Sequence, residues 1–149
     1  MTATMVSIRR STQRDVQRVM EIWRNAVDAT HDFLEPADRL AIERELVGFL
    51  PSAPLWLSVD AEDRATGFML LDGAHMEALF VDPLHAGHGI GRALVEHAAS
   101  SCAALTTDVN EQNGQAVSFY RHLGFEPTGR SEIDGQGRPY PLIHLRRTA

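Results

Sequence analysis

Val16, Val19, Met20, Trp23 and Val27 recur at the three- and four-residue spacing of an amphipathic helix. Thr12 and Asp15 precede them in a capping-box arrangement, so the helix should begin there and end near residues 29–31. Pro36 opens a second helix with Ile42, Leu46, Phe49 and Leu50 on one face, and Pro51 stops it. A third helix should run from about Gly89 to Ser101, with Ile90, Leu94, His97 and Ala98 turned inward. A fourth should span about Gly114 to Leu123, carrying Ala116, Phe119, Tyr120 and Leu123 on one stripe. Gly124 suits a left-handed cap there, with Phe125 packing back. Short apolar runs bounded by turn residues predict strands over residues 6–9, 55–59, 66–71, 75–81, 105–109, 128–133 and 142–146.

The resulting order is β-α-α-β-β-β-α-β-α-β-β. A hairpin block followed by β-α-β predicts an α/β chain, a mixed sheet with helices on both faces. At 149 residues, with no internal repeat or linker, the chain reads as a single domain over 1–149.

Composition narrows the classes. The net charge of −6 argues against a nucleic-acid or anionic-membrane surface, which would want clustered Lys and Arg. No apolar stretch is long enough to span a bilayer, and residues 1–4 open no signal-like segment, so the expected compartment is the cytoplasm. Cys102 is the single cysteine, so no internal disulfide forms. His85 and His88 sit on a glycine loop without a carboxylate or thiolate set, so no metal site is expected.

The chemistry concentrates where the fourth strand meets the third helix. The run Ala78 to Val81 ends at Asp82-Pro83, and Gly87, Gly89 and Gly91 follow at alternate positions. Glycine permits a tight turn and the close approach of a ligand to the backbone. A helix N-terminus presents unpaired N–H groups and a partial positive charge. Strand, glycine turn and helix together suggest a phosphate or pyrophosphate loop. It is not a Walker loop, because Arg92-Ala93 stand where Lys and Ser or Thr are needed, and its glycine spacing is not that of a dinucleotide fingerprint.

The segment Ala86-Gly87-His88-Gly89-Ile90-Gly91 resembles motif A of the GCN5-related N-acetyltransferase (GNAT) superfamily, Gln/Arg-x-x-Gly-x-Gly/Ala. Ala86 departs from the leading Gln or Arg, which shifts the cofactor phosphates onto backbone N–H groups. Asn113 to Phe125 resembles motif B, Asn-x-x-Ala-x-x-Phe-Tyr-x-x-x-Gly-Phe, at every fixed position. Residues 27–34, 109–113, 128–132 and 137–142 extend the likeness to small enterobacterial acetyltransferases over nearly the whole chain.

The resemblance implies the GNAT fold and a direct, metal-free acetyl transfer from acetyl-CoA to a primary amine, either a protein lysine or a small amine. Acetyl-CoA would lie between splayed strands four and five. Leu79, Phe80 and Val81 would pair with its pantetheine arm, and an N–H near Leu79 would take the acetyl carbonyl. His88, Gly89, Ile90, Gly91, Arg92 and Ala93 would hold the pyrophosphate, and Asn113 and Asn110 the pantetheine. Both asparagines also read as turn or N-cap residues. Tyr120 would be the general acid, since a phenol near 10 can protonate a thiolate whose thiol lies near 8.5. A core aromatic position suits Phe119 better than Tyr120. His75, and after it Glu77, are the candidate bases, on one face of the fourth strand. His31 and Asp32 would line the acceptor side. His31 reads equally as a cationic residue at a helix C-terminus. The other open readings are a non-catalytic acyl-CoA-binding module and a nucleotide-binding domain without acyl chemistry. No nucleic acid or membrane partner is expected, and the oligomeric state, a homodimer included, stays open.

Overall fold

The computed structural model describes residues 6–148. The elements are β1 (Ser7–Arg10), α1 (Val16–Thr30), α2 (Pro36–Phe49), β2 (Trp56–Val59), β3 (Ala65–Asp72), β4 (His75–Val81), α3 (Ile90–Ala99), β5 (Ala104–Asn110), α4 (Gly114–His122), β6 (Glu126–Ser131) and β7 (Leu142–Thr148). This is the order the hydrophobic pattern predicts, with the ends shifted by a few residues. The strands form one mixed seven-stranded sheet in the order β1-β2-β3-β4-β5-β7-β6. The β4–β5 pair is parallel, and β1–β2, β2–β3, β5–β7 and β6–β7 are antiparallel.

The chain divides into two compact units, one reaching to Leu70 and including Ala78–Leu94, the other made of Leu71–Glu77 and the chain from Val95 onward. In the first unit, α1 buries Val19, Ile22, Trp23 and Val27 in one core cluster with Leu55, Leu57 and Phe68. Asp15 at its start accepts from the Thr12 N–H at 2.7 Å and from both Arg9 Nη atoms at 2.9 Å, so the capping residue is also an ion-pair anchor. The expected face of α2 is only partly realised. Ile42 and Leu46 are half-buried against the cluster and Leu50 is buried, but Phe49 is 47% exposed. The chain tightens into a 3-10 turn at Leu50–Ser52, and the changed rotation per residue turns Leu50 inward and leaves Phe49 outside.

Gly67 on β3 is fixed by space. A Cβ there would stand 3.0 Å from the Phe80 carbonyl oxygen, Ile90 Cγ2 and Ser58 Oγ. Gly67→Ala should therefore push on the β4 backbone and on the first residue of α3. We expect a loss of about 1–3 kcal/mol in chemical denaturation, the usual range for overpacking. An unchanged midpoint would show that β4 shifts freely.

In the second unit, β5 is paired along its whole length with β7, from Ala104↔Thr148 to Asn110↔Leu142. Leu105, Thr107 and Val109 are buried, and Thr106 and Asp108 point to the other face by the strand's period of two. The β4–β5 pairing runs through His75↔Thr106 and Met76↔Thr107. Gly124 adopts the left-handed conformation expected of it, φ 92°, and the Phe125 N–H closes back on the Tyr120 carbonyl at 3.1 Å. The stripe of α4 differs from expectation in one respect. Tyr120 is the buried aromatic, 7% exposed, and Phe119 is half-buried beside it. Phe125 folds back against the Tyr120 ring, with centroids 5.3 Å apart, and this cap encloses Tyr120.

Candidate active site

The turn between β4 and α3 is built from the backbone. Asp82 ends β4 and caps a 3-10 turn, Pro83–His85, by accepting the Leu84 N–H at 3.2 Å. Gly87 and Gly89 then take left-handed φ angles of 82° and 77°. A Cβ at either would meet no heavy atom within 4 Å, so the space above the turn is open. The helix begins at Ile90, and its first internal bond runs from the Ala93 N–H to the Gly89 carbonyl at 3.0 Å. The Ala93 amide is thus engaged inside the helix, and those of residues 88–92 precede this first bond. His88, Gly89 and Arg92 are exposed. Ala86, also exposed, contributes only its N–H, to Pro83 O at 3.2 Å.

A buried ion pair holds this turn in place. Asp82 is 1% exposed, and one carboxylate oxygen takes a short hydrogen bond from Arg18 Nη2. Arg18 in turn donates from Nε to the Ala65 carbonyl at 2.9 Å, and the Asp82 N–H reaches Thr66 O at 2.9 Å. Burial pushes the Asp82 carboxyl up, but the Arg18 guanidinium and the Leu84 N–H outweigh it and hold the group below its ordinary range.

At the end of α1, the His31 ring lies 5.2 Å from the Phe33 ring and 6.3 Å from that of Phe80, and Phe80 stacks 5.4 Å from Phe68. Asp32 is exposed beside it. Leu79, Phe80 and Val81 are half-buried on β4.

In the second unit, the Tyr120 hydroxyl is hydrogen-bonded to the Thr107 side chain. The Thr107 hydroxyl donates to Met76 O at 2.9 Å. Burial raises the phenol well above its ordinary value, and the Thr107 contact opposes this. His75 is on the other face of β5, with Nδ1 2.7 Å from Thr106 Oγ1 and Nε2 3.4 Å from Asp108 Oδ2. Asp108 Oδ1 lies 2.6 Å from His144 Nδ1, and His144 Nε2 is 2.7 Å from Ser131 Oγ. Glu77 is exposed. Asn113 caps α4, its side chain accepting the Ala116 N–H at 3.1 Å, and Asn110 closes β5 opposite Leu142.

A model of the acetyltransferase (GNAT) domain family matches residues 25–140. The chain belongs to the GNAT acetyltransferase family. It is 55% identical to the peptidyl-lysine N-acetyltransferase YjaB of Salmonella typhimurium, across 95% of this chain and 97% of that protein. The solution structure of apo-form YjaB from Escherichia coli superposes with a TM-score of 0.92 at 53% identity, covering 96% of this chain and 97% of that one. The PaiA N-acetyltransferase of Thermoplasma acidophilum, solved in complex with coenzyme A, shares the fold with a TM-score of 0.78 at 17% identity, over 98% of this chain and 100% of that one.

Several side chains of this GNAT chain escape sequence reading. Arg18 and Asp82 are 64 residues apart, and no local pattern couples them. Asp108, His144 and Ser131 come together only through the β5–β7–β6 register. The alternation of Thr106 and Asp108 on β5 is a weak signal that these face His75, but the partner strand is not written there. Cys102 is half-buried with its thiol 3.4 Å from Ala98 O, an ordinary helix-end position.

Proposed function

We propose that this chain is an acetyl-CoA-dependent N-acetyltransferase that passes acetyl directly to a primary amine, with the lysine side chain of a peptide as preferred acceptor. The observation that carries the cosubstrate is the turn 87–92, a row of free amides at a helix N-terminus beneath open space, suited to a pyrophosphate. The acceptor is supported by the 55% identical relative named for peptidyl-lysine. In this reading the backbone of Leu79, Phe80 and Val81 pairs with the pantetheine. The Asn113 side-chain N–H2 also reaches that arm, its oxygen being engaged by Ala116. Tyr120 gives its proton to the departing thiolate. An N–H near Leu79 supports the tetrahedral oxyanion, a role in which a placed donor is worth about 3 kcal/mol.

Direct transfer asks for no metal, and among the described residues no His, Cys, Asp and Glu cluster is arranged to bind one. No described helix is long and apolar enough to cross a membrane. The reading places the enzyme in the cytoplasm, with all 149 residues acting as one catalytic domain.

The direct test follows free thiol on mixing the protein and acetyl-CoA with lysine peptides, polyamines and amino acids. Thiol release should depend on the amine and be fastest with lysine peptides. Binding of acetyl-CoA with no thiol release from any amine would assign a non-catalytic acyl-CoA-binding module instead.

A further inference from the structure

Hydrogen bonding around His31 fixes its tautomer. The Thr30 hydroxyl donates its one proton to the Ala26 carbonyl at 2.7 Å, an ordinary bond one turn back along α1. The same oxygen lies 2.7 Å from His31 Nδ1. With its proton engaged, Thr30 Oγ1 can only accept, so Nδ1 carries the hydrogen and Nε2 carries the lone pair. Nε2 has no hydrogen-bond partner among the described residues, and it is not among the buried atoms left unpartnered, so it opens to solvent. The ring is held between Phe33 and Phe80, and Phe80 lies on the stretch of β4 assigned above to the pantetheine.

His75 presents the opposite case. Nδ1 meets the Thr106 hydroxyl and Nε2 faces the Asp108 carboxylate, so both nitrogens are engaged. A base needs a free lone pair within reach of the proton it takes.

We propose that His31 is the general base of the reaction and takes the acceptor's proton on Nε2. The inference rests on the acetyl-transfer reading. The acceptor arrives as an ammonium and gives one proton to Nε2, leaving a neutral amine and an imidazolium. The amine lone pair forms the C–N bond at the thioester carbonyl. Collapse of the tetrahedral adduct breaks the C–S bond, the thiolate takes the Tyr120 proton, and Tyr120 is reprotonated by the second proton of the nitrogen. The imidazolium returns its proton to solvent, so one proton is released per acetyl transferred.

The surroundings suit this role. Burial among uncharged neighbours, Thr30, Phe33 and Phe80, pushes the imidazole below its ordinary value, and Asp32 on its own loop acts the other way. The ring therefore stays neutral, ready to accept a proton, down to slightly acidic pH.

The test compares wild type with His31→Asn, whose amide can still donate to Thr30 Oγ1 but cannot act as a base. With a lysine peptide at pH 7, kcat/KM for the peptide should fall about 100-fold or more, the usual worth of general-base catalysis. The KM for acetyl-CoA should stay within about twofold, since the phosphate loop is untouched. The deficit should shrink as pH rises, because the fraction of already neutral amine grows roughly tenfold per pH unit below its pKa near 10.4. A variant with wild-type kcat/KM and an unshifted pH profile overturns the inference and leaves acetyl transfer intact. A wild type that acetylates no amine overturns both. The 15N shifts of His31 in the wild-type protein test it without mutation, and an Nε2-protonated tautomer also overturns it.

Discussion

Tyr120→Phe should lower kcat with a lysine peptide about 100-fold or more while leaving acetyl-CoA affinity nearly unchanged. The loss follows from the leaving group. Collapse of the tetrahedral adduct expels a thiolate, and a positioned acid that protonates it contributes about 100- to 10,000-fold. Phenylalanine fills the same space, so the edge contacts of Tyr120 with Phe119 and Phe125, at 5.2 and 5.3 Å, survive and the fold should hold. The raised phenol makes Tyr120 a weaker acid, but it also keeps the proton in place at every working pH. Because the phenol titrates above its ordinary value near 10, the wild-type rate should show no alkaline decline from this residue below that pH. Steady-state kinetics beside a binding titration decide the matter, and an unchanged kcat removes Tyr120 from the chemistry.

The fold is legible because its signals are local. Thr12 and Asp15, Pro36, the Asp82-Pro83 end of β4 and Gly124 each mark a boundary by short-range chemistry, and each boundary lies where the residue types put it. The glycine loop is legible for the same reason, since the left-handed φ at Gly87 and Gly89 is written into the residue type. What is not legible depends on register and on distance along the chain. His75 looks like a free histidine in sequence, and only the pairing with β5 and β7 shows it joined to Thr106 and Asp108. Phe119 and Tyr120 are adjacent on a helix, and which of them is enclosed depends on how Phe125 folds back. The open lone pair of His31 needs three atoms, Thr30 Oγ1, Ala26 O and Nδ1, placed to tenths of an ångström. Tyr120 and the His75 cluster lie on opposite faces of β5.

Arg18→Met should cost about 3–5 kcal/mol of stability at pH 7, the usual price of leaving one partner of a buried ion pair alone. Arg18 is 15% exposed and Asp82 1%, so removal of the cation leaves a buried carboxylate without its charged partner. In the wild type the Asp82 pKa is lowered on folding, so its contribution is complete above the unfolded value near 3.9 and disappears only as pH falls through the lower folded value. Without Arg18, burial dominates and the folded pKa lies above the unfolded one. The Asp82 site of the variant should then gain stability as pH drops from 7 toward 4, whereas in the wild type Asp82 contributes no change over that range. Arg18→Met combined with Asp82→Asn should be more stable at pH 7 than Arg18→Met alone, because an amide carries no charge and its oxygen can still accept the Leu84 N–H. Denaturant titrations of the three proteins at pH 7 and pH 5 give the comparison. Equal losses at both pH values, with no recovery in the double variant, would show that Arg18 acts through its bond to Ala65 O and its packing, and that the charge of Asp82 plays no part in holding the turn between β4 and α3.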